Sequence, residues 1–425
     1  MGNMTTNPLQ QLIIERIQRE GPIPFAEYMR MALYEPGYGY YVTGAAKMGW
    51  EGDYFTSTDV STLFANCIGR QLYAMWEKLK RPPKFLIVEE GAGRGHLAEG
   101  VQAWAQREAP DFLAVLDYRV EDIRSGQDVL GDTLFSSPSL PQGTREGYPY
   151  HARAGWVASS YGRGTPRGYP GGEDGGTMAA PNPAVNPLNE DGVGTEPPHP
   201  SVILSNELID AFPVHIVEIR EGQLYEVYVD EQDGRLYEVL SEPSMPEVAG
   251  YLDTFKVPWQ SFGDGWRAEI NLDALRWIER TAQLVRKGFI LTIDYGDKAR
   301  DLYTRYQRRG TLTCYFQHQV SERPLARPGA QDITAHVNFT ALMHEARRQG
   351  LRVSKFTTQR EWLESLGIRE ELEQHRLQEF AEADTARATD RGQVALLKWH
   401  DLRQRAAVLT DPYGMGNFKV LILRR

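Results

Sequence analysis

From Phe85 to Trp104 the chain passes from a continuous apolar run, Phe85-Leu86-Ile87-Val88, through Glu89-Glu90 into Gly91-Ala92-Gly93-Arg94-Gly95. Beyond the glycines, apolar residues recur at Leu97, Val101 and Trp104. A short apolar run closed by glycines reads as a buried strand, and the spacing after it reads as one face of a helix. Strand, glycine turn and helix in that order open a doubly wound α/β sheet, whose ligands sit outside the carboxyl ends of its strands. This one unit constrains the fold class to α/β.

The rest of the chain is read around it. Further buried strands are predicted over 118–121, 202–205 and 289–294, each short, apolar and followed by polar residues. Residues 136–200 are dominated by Gly, Pro, Ser, Asn and acids without apolar periodicity, and read as a long, largely disordered insertion. After Pro213 the apolar residues alternate, with breaks at Glu221-Gly222 and Asp233-Gly234. That pattern predicts an antiparallel meander of hairpins.

Helices are predicted over 25–33, 61–79 and 272–286, and over 339–349 with Asn338 as its cap and Gly350 as its end. A strand over 351–356 follows, then a polar helical region over 361–409 whose charges read as a solvated face. A last strand over 418–423 is consistent with an antiparallel edge to the sheet.

Composition excludes several classes. The 425 residues are 41% hydrophobic and 24% charged, with a formal net charge of −10. Nucleic acid is therefore not the expected partner, since phosphate binding calls for basic surface. Two cysteines, Cys67 and Cys314, offer neither a disulfide framework nor a zinc cluster. The nine histidines show no ligand spacing, so no metal is expected. No apolar run is long enough for membrane insertion. The opening Met1 to Thr6 leads into no apolar stretch, so neither a signal nor a transit peptide is expected, and the expected place is the cytoplasm.

Gly91-x-Gly93-x-Gly95 is shorter than the dinucleotide fingerprint, and by itself such a turn is often only a tight connection. Its context adds to it: without side chains the backbone can approach a ligand closely. The carboxylates of Glu89-Glu90 would repel a pyrophosphate, yet suit a sulfonium and an amino-acid ammonium group. The expected cofactor is therefore S-adenosyl-L-methionine rather than a nicotinamide. An acid for the ribose belongs at the end of the next strand, where Glu121 stands; the other reading is a surface glutamate.

The strand predicted over 202–205 ends in Asn206-Glu207-Leu208-Ile209-Asp210. Polar residues at this sheet edge are placed to face a methyl group and its acceptor, or else Asn206 caps a turn and Glu207 pairs structurally. Asp294 is a second carboxylate at the same edge, or a turn former. His336, directly before a helix, either accepts a proton or packs in a capping region.

Taken together, Gly21 to Met29, Ala32 to Tyr41, Gly52 to Ser57, Glu89 to Gly95, Asn206 to Val214, Ile293 to Gly296, Gly310-Thr311-Leu312, Thr334 to Phe339 and Met415 to Val420 resemble, in order, the motifs of the MidA-type methyltransferases. These are bacterial relatives of a mitochondrial complex I assembly factor that methylates arginine. The resemblance implies a class I, Rossmann-like methyltransferase sheet with an added α+β substrate-side domain. It implies cofactor contacts from Glu90, Gly91, Gly93, Gly95, Glu121, Asn206, Thr56 and Ser57. It also implies a protein substrate, with a subunit of respiratory complex I as an example, and leaves an oligomer open. The long insertion is a departure from the family.

The expected organisation is an N-terminal helical and aromatic lid over 1–80 and a methyltransferase core over 81–135, 201–213 and 276–357. The insertion occupies 136–200 and a hairpin substrate-side segment 214–275. A helical excursion over 358–410 and a final core strand over 411–425 complete the chain. An arginine acceptor carries a permanent positive charge, so Glu207 is the expected substrate carboxylate, assisted by Asp210 or His336. A methyltransferase for a small molecule or another side chain, or a binding protein without catalysis, are the other readings.

Overall fold

Among the described residues, six strands form the central sheet. Their order is Arg352–Thr358, Lys419–Arg424, Phe289–Asp294, Val202–Asn206, Phe85–Glu90 and Leu116–Glu121. This is a computed structural model, and it describes residues 7–43, 57–122, 199–317, 319–385 and 390–425. They belong to one compact unit, Met1–Val129 with His199–Arg425. The expectations for Thr56, for the rest of the Gly52 to Phe55 motif and for the insertion over 136–198 lie outside the described residues.

Four of the strands, Phe289–Asp294, Val202–Asn206, Phe85–Glu90 and Leu116–Glu121, run parallel. Phe85–Glu90 is buried along its whole length, as a strand covered on both faces should be. Its register sets Glu90 beside Glu121 on one side and Ser205 on the other, so the acidic strand ends share one edge.

The last strand is present and antiparallel, as expected, and only its place at the edge needs correction. Lys419–Arg424 is antiparallel to both its neighbours and lies one place inside the edge, between Phe289–Asp294 and Arg352–Thr358. Composition explains the order. Val420-Leu421-Ile422-Leu423 is continuously apolar and buried, whereas Arg352–Thr358 is only partly buried and suits an edge.

Helices Thr62–Lys78 and His96–Glu108 cover one face. Phe64, Ile68, Leu72 and Trp104 pack there with Phe85 and Ile87 of the sheet. Each such side chain contributes roughly 1.5–3 kcal/mol by leaving water. Leu272–Leu284 and Phe339–Arg348 lie against each other, and Trp277 of the first reaches Glu90 at the end of its strand. Asn338 caps the second helix by accepting from the Ala341 amide at 3.2 Å.

A second sheet is antiparallel throughout and joins Ile23–Pro24, Gln223–Gln232, His215–Arg220, Arg267–Ile270 and Arg235–Ser241. Its two hairpins turn at Glu221-Gly222 and Asp233-Gly234. All four residues there have φ between 51° and 76°, the mirror-image turn that matches strand twist. Arg267–Ile270 was not foreseen, because two charges among its four residues hide a strand pattern. The region expected to be helical over 361–409 contains Gln359–Ser365, Ile368–Thr385 and Asp390–Thr410. Among the described residues no helix is long and apolar enough to cross a membrane.

Candidate active site

The glycine turn closes over the end of the neighbouring strand. The amides of Gly91 and Ala92 donate to the Glu121 carbonyl at 2.9 and 3.2 Å, and the Gly93 amide donates to Asp122 Oδ2 at 2.9 Å. Gly91 has φ +73°, and a Cβ there would stand 2.8 Å from Leu208 Cδ1. A side chain at Gly91 would therefore push the turn away from the loop after Asn206.

The two acids before the turn do different work, because successive side chains of a strand face opposite ways. Glu89 accepts from the Tyr118 hydroxyl at 2.9 Å, and burial pushes its carboxyl up to about 8. Glu90 lies on the other face, fully buried, with Trp277 Nε1 and Arg280 Nη2 each donating to Oε2 at 2.6 Å. Its Oε1 is buried without a hydrogen-bond partner among the described residues. Glu90 is thus anchored from the helix side, which its sequence position did not reveal. Glu121 is buried beside it.

The loop after Val202–Asn206 carries the densest charge. Glu207 takes φ +50°, a conformation rare for a residue with a side chain. Its own amide donates to the Ile293 carbonyl at 2.8 Å. The Ser57 amide donates to Glu207 Oε1 at 2.8 Å and Asn206 Nδ2 does so at 3.1 Å. Among the described residues both bonds fall on one oxygen, and the other accepts none. Burial pushes the Glu207 carboxyl up to about 8, the Ser57 amide opposes this, and the charge of Asp210 adds to it. Asn206 does not cap a turn; its Oδ1 is buried without a partner among the described residues.

Asp210 accepts from the Tyr295 hydroxyl, and burial pushes its carboxyl up to about 6. Beneath it, Asp294 is fully buried. It accepts from the amides of Ile209 at 2.9 Å, Asp210 at 3.3 Å and Tyr295 at 2.9 Å. Burial, with Asp210 and Glu207 nearby, holds Asp294 well above the usual carboxylate range. The strand-end aspartate is therefore the floor of the acidic loop rather than a simple turn former.

His336 is exposed, and its ring meets Tyr295 edge-on at 5.5 Å between centroids. Tyr295 also packs on Phe418 at 5.4 Å. One tyrosine thus joins Asp210 to His336. The N-terminal aromatic segment reaches the same loop: Tyr34 donates to the Ala211 carbonyl at 2.8 Å and stacks on Tyr41, which donates to Asp332 Oδ1 at 2.7 Å. Tyr315, half-buried, is pushed up by burial and by the carboxylates of Asp332, Asp210 and Glu207. Sequence reasoning gives no role to Tyr295, Tyr315 or Asp122, although Tyr295 lies within the Ile293 to Gly296 motif, since no local pattern tells what each would touch.

This edge fits an adenosyl cation with an amino-acid tail. It offers a glycine-rich backbone turn, a buried Asn206 carbonyl without a partner among the described residues, and the buried carboxyl of Glu121 at the end of the neighbouring strand.

Comparisons with known proteins agree. Residues 67–128 and 189–357, more than half of the chain, match the family described as "Putative S-adenosyl-L-methionine-dependent methyltransferase". The chain is 28% identical over 346 residues to the protein arginine methyltransferase NDUFAF7 homolog, mitochondrial, of Drosophila melanogaster, covering 79% of this chain and 69% of that one. It is 25% identical over 367 residues to protein arginine methyltransferase NDUFAF7, mitochondrial, of Homo sapiens, covering 85% and 74%. A crystal structure from Burkholderia thailandensis, of a "likely methyl transferase" bound to S-adenosyl-homocysteine, superposes with a TM-score of 0.68 at 22% identity. It covers 99% of this chain and 92% of that one, and shows the same fold. From its glycine turn to its acidic loop, this chain belongs to the S-adenosyl-L-methionine-dependent methyltransferase family of MidA type.

Proposed function

We propose that the chain transfers a methyl group to an arginine side chain of a protein, on a class I, Rossmann-like sheet with the antiparallel sheet as its substrate side. The observation that carries this reading is Glu207. It is a half-buried carboxylate at the carboxyl end of a central strand, held by the Ser57 amide on one oxygen and backed by Asp210 and Asp294. A site with three carboxyls pushed toward neutrality is completed by a cation. The guanidinium is planar, permanently charged and matched to a carboxylate fork. The names of the curated relatives support the same acceptor.

S-adenosyl-L-methionine, when bound, supplies a methyl group on a positively charged sulfur. The backbone of Gly91 to Gly95, with Glu121, Asn206 and Ser57, are the residues proposed to hold it. Glu207 binds the guanidinium, returns to its ionised form beside that charge, and fixes one nitrogen in the direction of transfer. Asp210, held by Tyr295, keeps a second negative charge behind it. The nitrogen that gains the methyl sheds one proton, whose uptake this reading assigns to His336, the histidine packed on Tyr295. Tyr34, stacked on Tyr41, holds the end of the acidic loop through the Ala211 carbonyl.

The test is direct. The protein is incubated with methyl-labelled S-adenosyl-L-methionine and a protein lysate, and the labelled products are hydrolysed. Label recovered as methylarginine supports the reading, and a complex I subunit is the first individual protein to try. Label confined to small molecules, or to another amino acid, overturns it.

A further inference from the structure

Three consecutive amides fix the stretch around His336 to three different parts of the chain. The Ala335 amide donates to the Asp210 carbonyl at 2.9 Å and the Val337 amide to the Tyr295 carbonyl at 3.0 Å. Between them, the His336 amide donates to Thr311 Oγ1 at 3.0 Å. The outer two bonds are ordinary backbone pairings. The middle one depends on a side chain 25 residues away in sequence.

A hydroxyl that accepts one bond has a single hydrogen to place. Thr311 Oγ1 donates it to Glu269 Oε2 at 3.0 Å. Glu269 comes from the antiparallel sheet, is 6% exposed, and also accepts from the amides of Thr311 at 3.0 Å and Leu312 at 3.2 Å. The carboxylate therefore grips the Gly310-Thr311-Leu312 turn at three donors. The grip needs glycine at its start: Gly310 has φ +73°, and a Cβ there would stand 2.0 Å from Glu269 Oε1. Burial raises the Glu269 carboxyl and the Thr311 bonds oppose that rise, so the turn and the carboxylate hold each other.

We propose that Glu269 and Thr311 are positioning residues for the transfer reaction: Glu269 orients the Thr311 hydroxyl, and that hydroxyl fixes the His336 backbone so that the imidazole stays against Tyr295 and the acidic loop. The proposal rests on the reading of His336 as a site residue. It ties the antiparallel sheet to the catalytic edge through one carboxylate. It also gives the Gly310-Thr311-Leu312 motif a physical purpose, which its sequence alone did not disclose. Valine in place of Thr311 keeps the shape and removes both hydroxyl bonds, whereas serine keeps them.

The experiment compares Thr311→Val, Thr311→Ser, Glu269→Gln and His336→Ala in full-length protein. Two readouts are used: the initial rate of label transfer from S-adenosyl-L-methionine to lysate proteins, and hydrogen exchange of the peptide containing the His336 amide. Thr311→Val is expected to lower the maximal rate about tenfold and to leave the KM for S-adenosyl-L-methionine within about twofold. It should also speed exchange at His336. Thr311→Ser should restore both readouts, and Glu269→Gln should fall between them. Adding Thr311→Val to His336→Ala should cost nothing further. If Thr311→Val keeps the full rate while His336→Ala loses it, the positioning proposal is overturned and the reading of His336 survives. If His336→Ala itself keeps the full rate, the reading falls and the proposal falls with it. Should Thr311→Val not fold, Glu269→Gln alone carries the same test, since unchanged rate and unchanged exchange in it contradict the proposal.

Discussion

The Ser57 amide donates to Glu207 Oε1 across 2.8 Å, joining the start of one helical segment to an acid 150 residues further along the chain. This single bond is what the Glu207 carboxylate receives from the backbone of that segment, and it is too little to offset burial. The carboxyl consequently sits at about 8. A guanidinium arriving beside it favours the ionised form, so binding should expel a proton. Arginine amide titrated into the protein saturated with S-adenosyl-homocysteine, in two buffers of different ionisation enthalpy near pH 7, is expected to release roughly one proton. Glu207→Gln should release none. Equal release from both proteins would assign the proton elsewhere.

The same raised carboxyl affects stability in a defined direction. Glu207 titrates at about 8 in the folded protein against an ordinary 4.5, so the folded state holds its proton more tightly than the unfolded one. The stability this gives is complete below the ordinary value and is lost as pH rises through about 8. Asp210 acts in the same sense from 3.8 to about 6. Removing the charge should therefore help most at high pH. The melting temperature of unliganded Glu207→Gln, minus that of wild type, is expected to grow from about pH 5 to about pH 8.5. A constant difference would show that Glu207 is not buried as described.

Gly91→Ala tests the turn. Its φ of +73° and the 2.8 Å approach of a Cβ to Leu208 Cδ1 both oppose a side chain. A destabilisation of ~1–3 kcal/mol in denaturant unfolding is expected, with weakened cofactor binding by calorimetry. Unchanged affinity would mean that the turn does not approach the cofactor closely.

Arg280→Met tests the anchor behind the sheet. Glu90 is fully buried, and Arg280 is its charged partner at 2.6 Å. Removing the guanidinium leaves a buried carboxylate with Trp277 as its one side-chain donor among the described residues. The expected loss is ~3 kcal/mol in denaturant unfolding. Glu90→Gln combined with Arg280→Met should recover part of it, since no buried charge then remains.

Much of the scaffold was legible because it rests on local pattern. The apolar runs at Phe85, Val202 and Phe289 became parallel strands, and Glu221-Gly222 and Asp233-Gly234 became hairpin turns. Asn338 was read correctly as a cap. The interior place of Lys419–Arg424 was not legible, because strand order follows from packing across the sheet and not from the strand itself. Arg267–Ile270 was hidden by its charges, and one of those charges proved to be the buried Glu269.

The site divides in the same way. The strand-end acids Glu207, Asp210 and Asp294 could be found from position, since open α/β sheets present such residues to a ligand. What each acid touches could not. Glu90 and Glu89 are adjacent in sequence yet serve opposite faces, one held by Trp277 and Arg280 and the other by Tyr118. The link from Glu269 through Thr311 to His336 joins three distant segments, and no spacing rule announces it.

The central claim is that Glu207 holds an arginine acceptor and does not serve the cofactor. The measurement is transfer of label from S-adenosyl-L-methionine into protein methylarginine by wild type and Glu207→Gln, alongside cofactor affinity by calorimetry on the same samples. Transfer is expected to fall at least about a hundredfold while the cofactor Kd stays within about threefold. Cofactor affinity falling in parallel with transfer, or methylarginine still forming at the wild-type rate, would contradict the account.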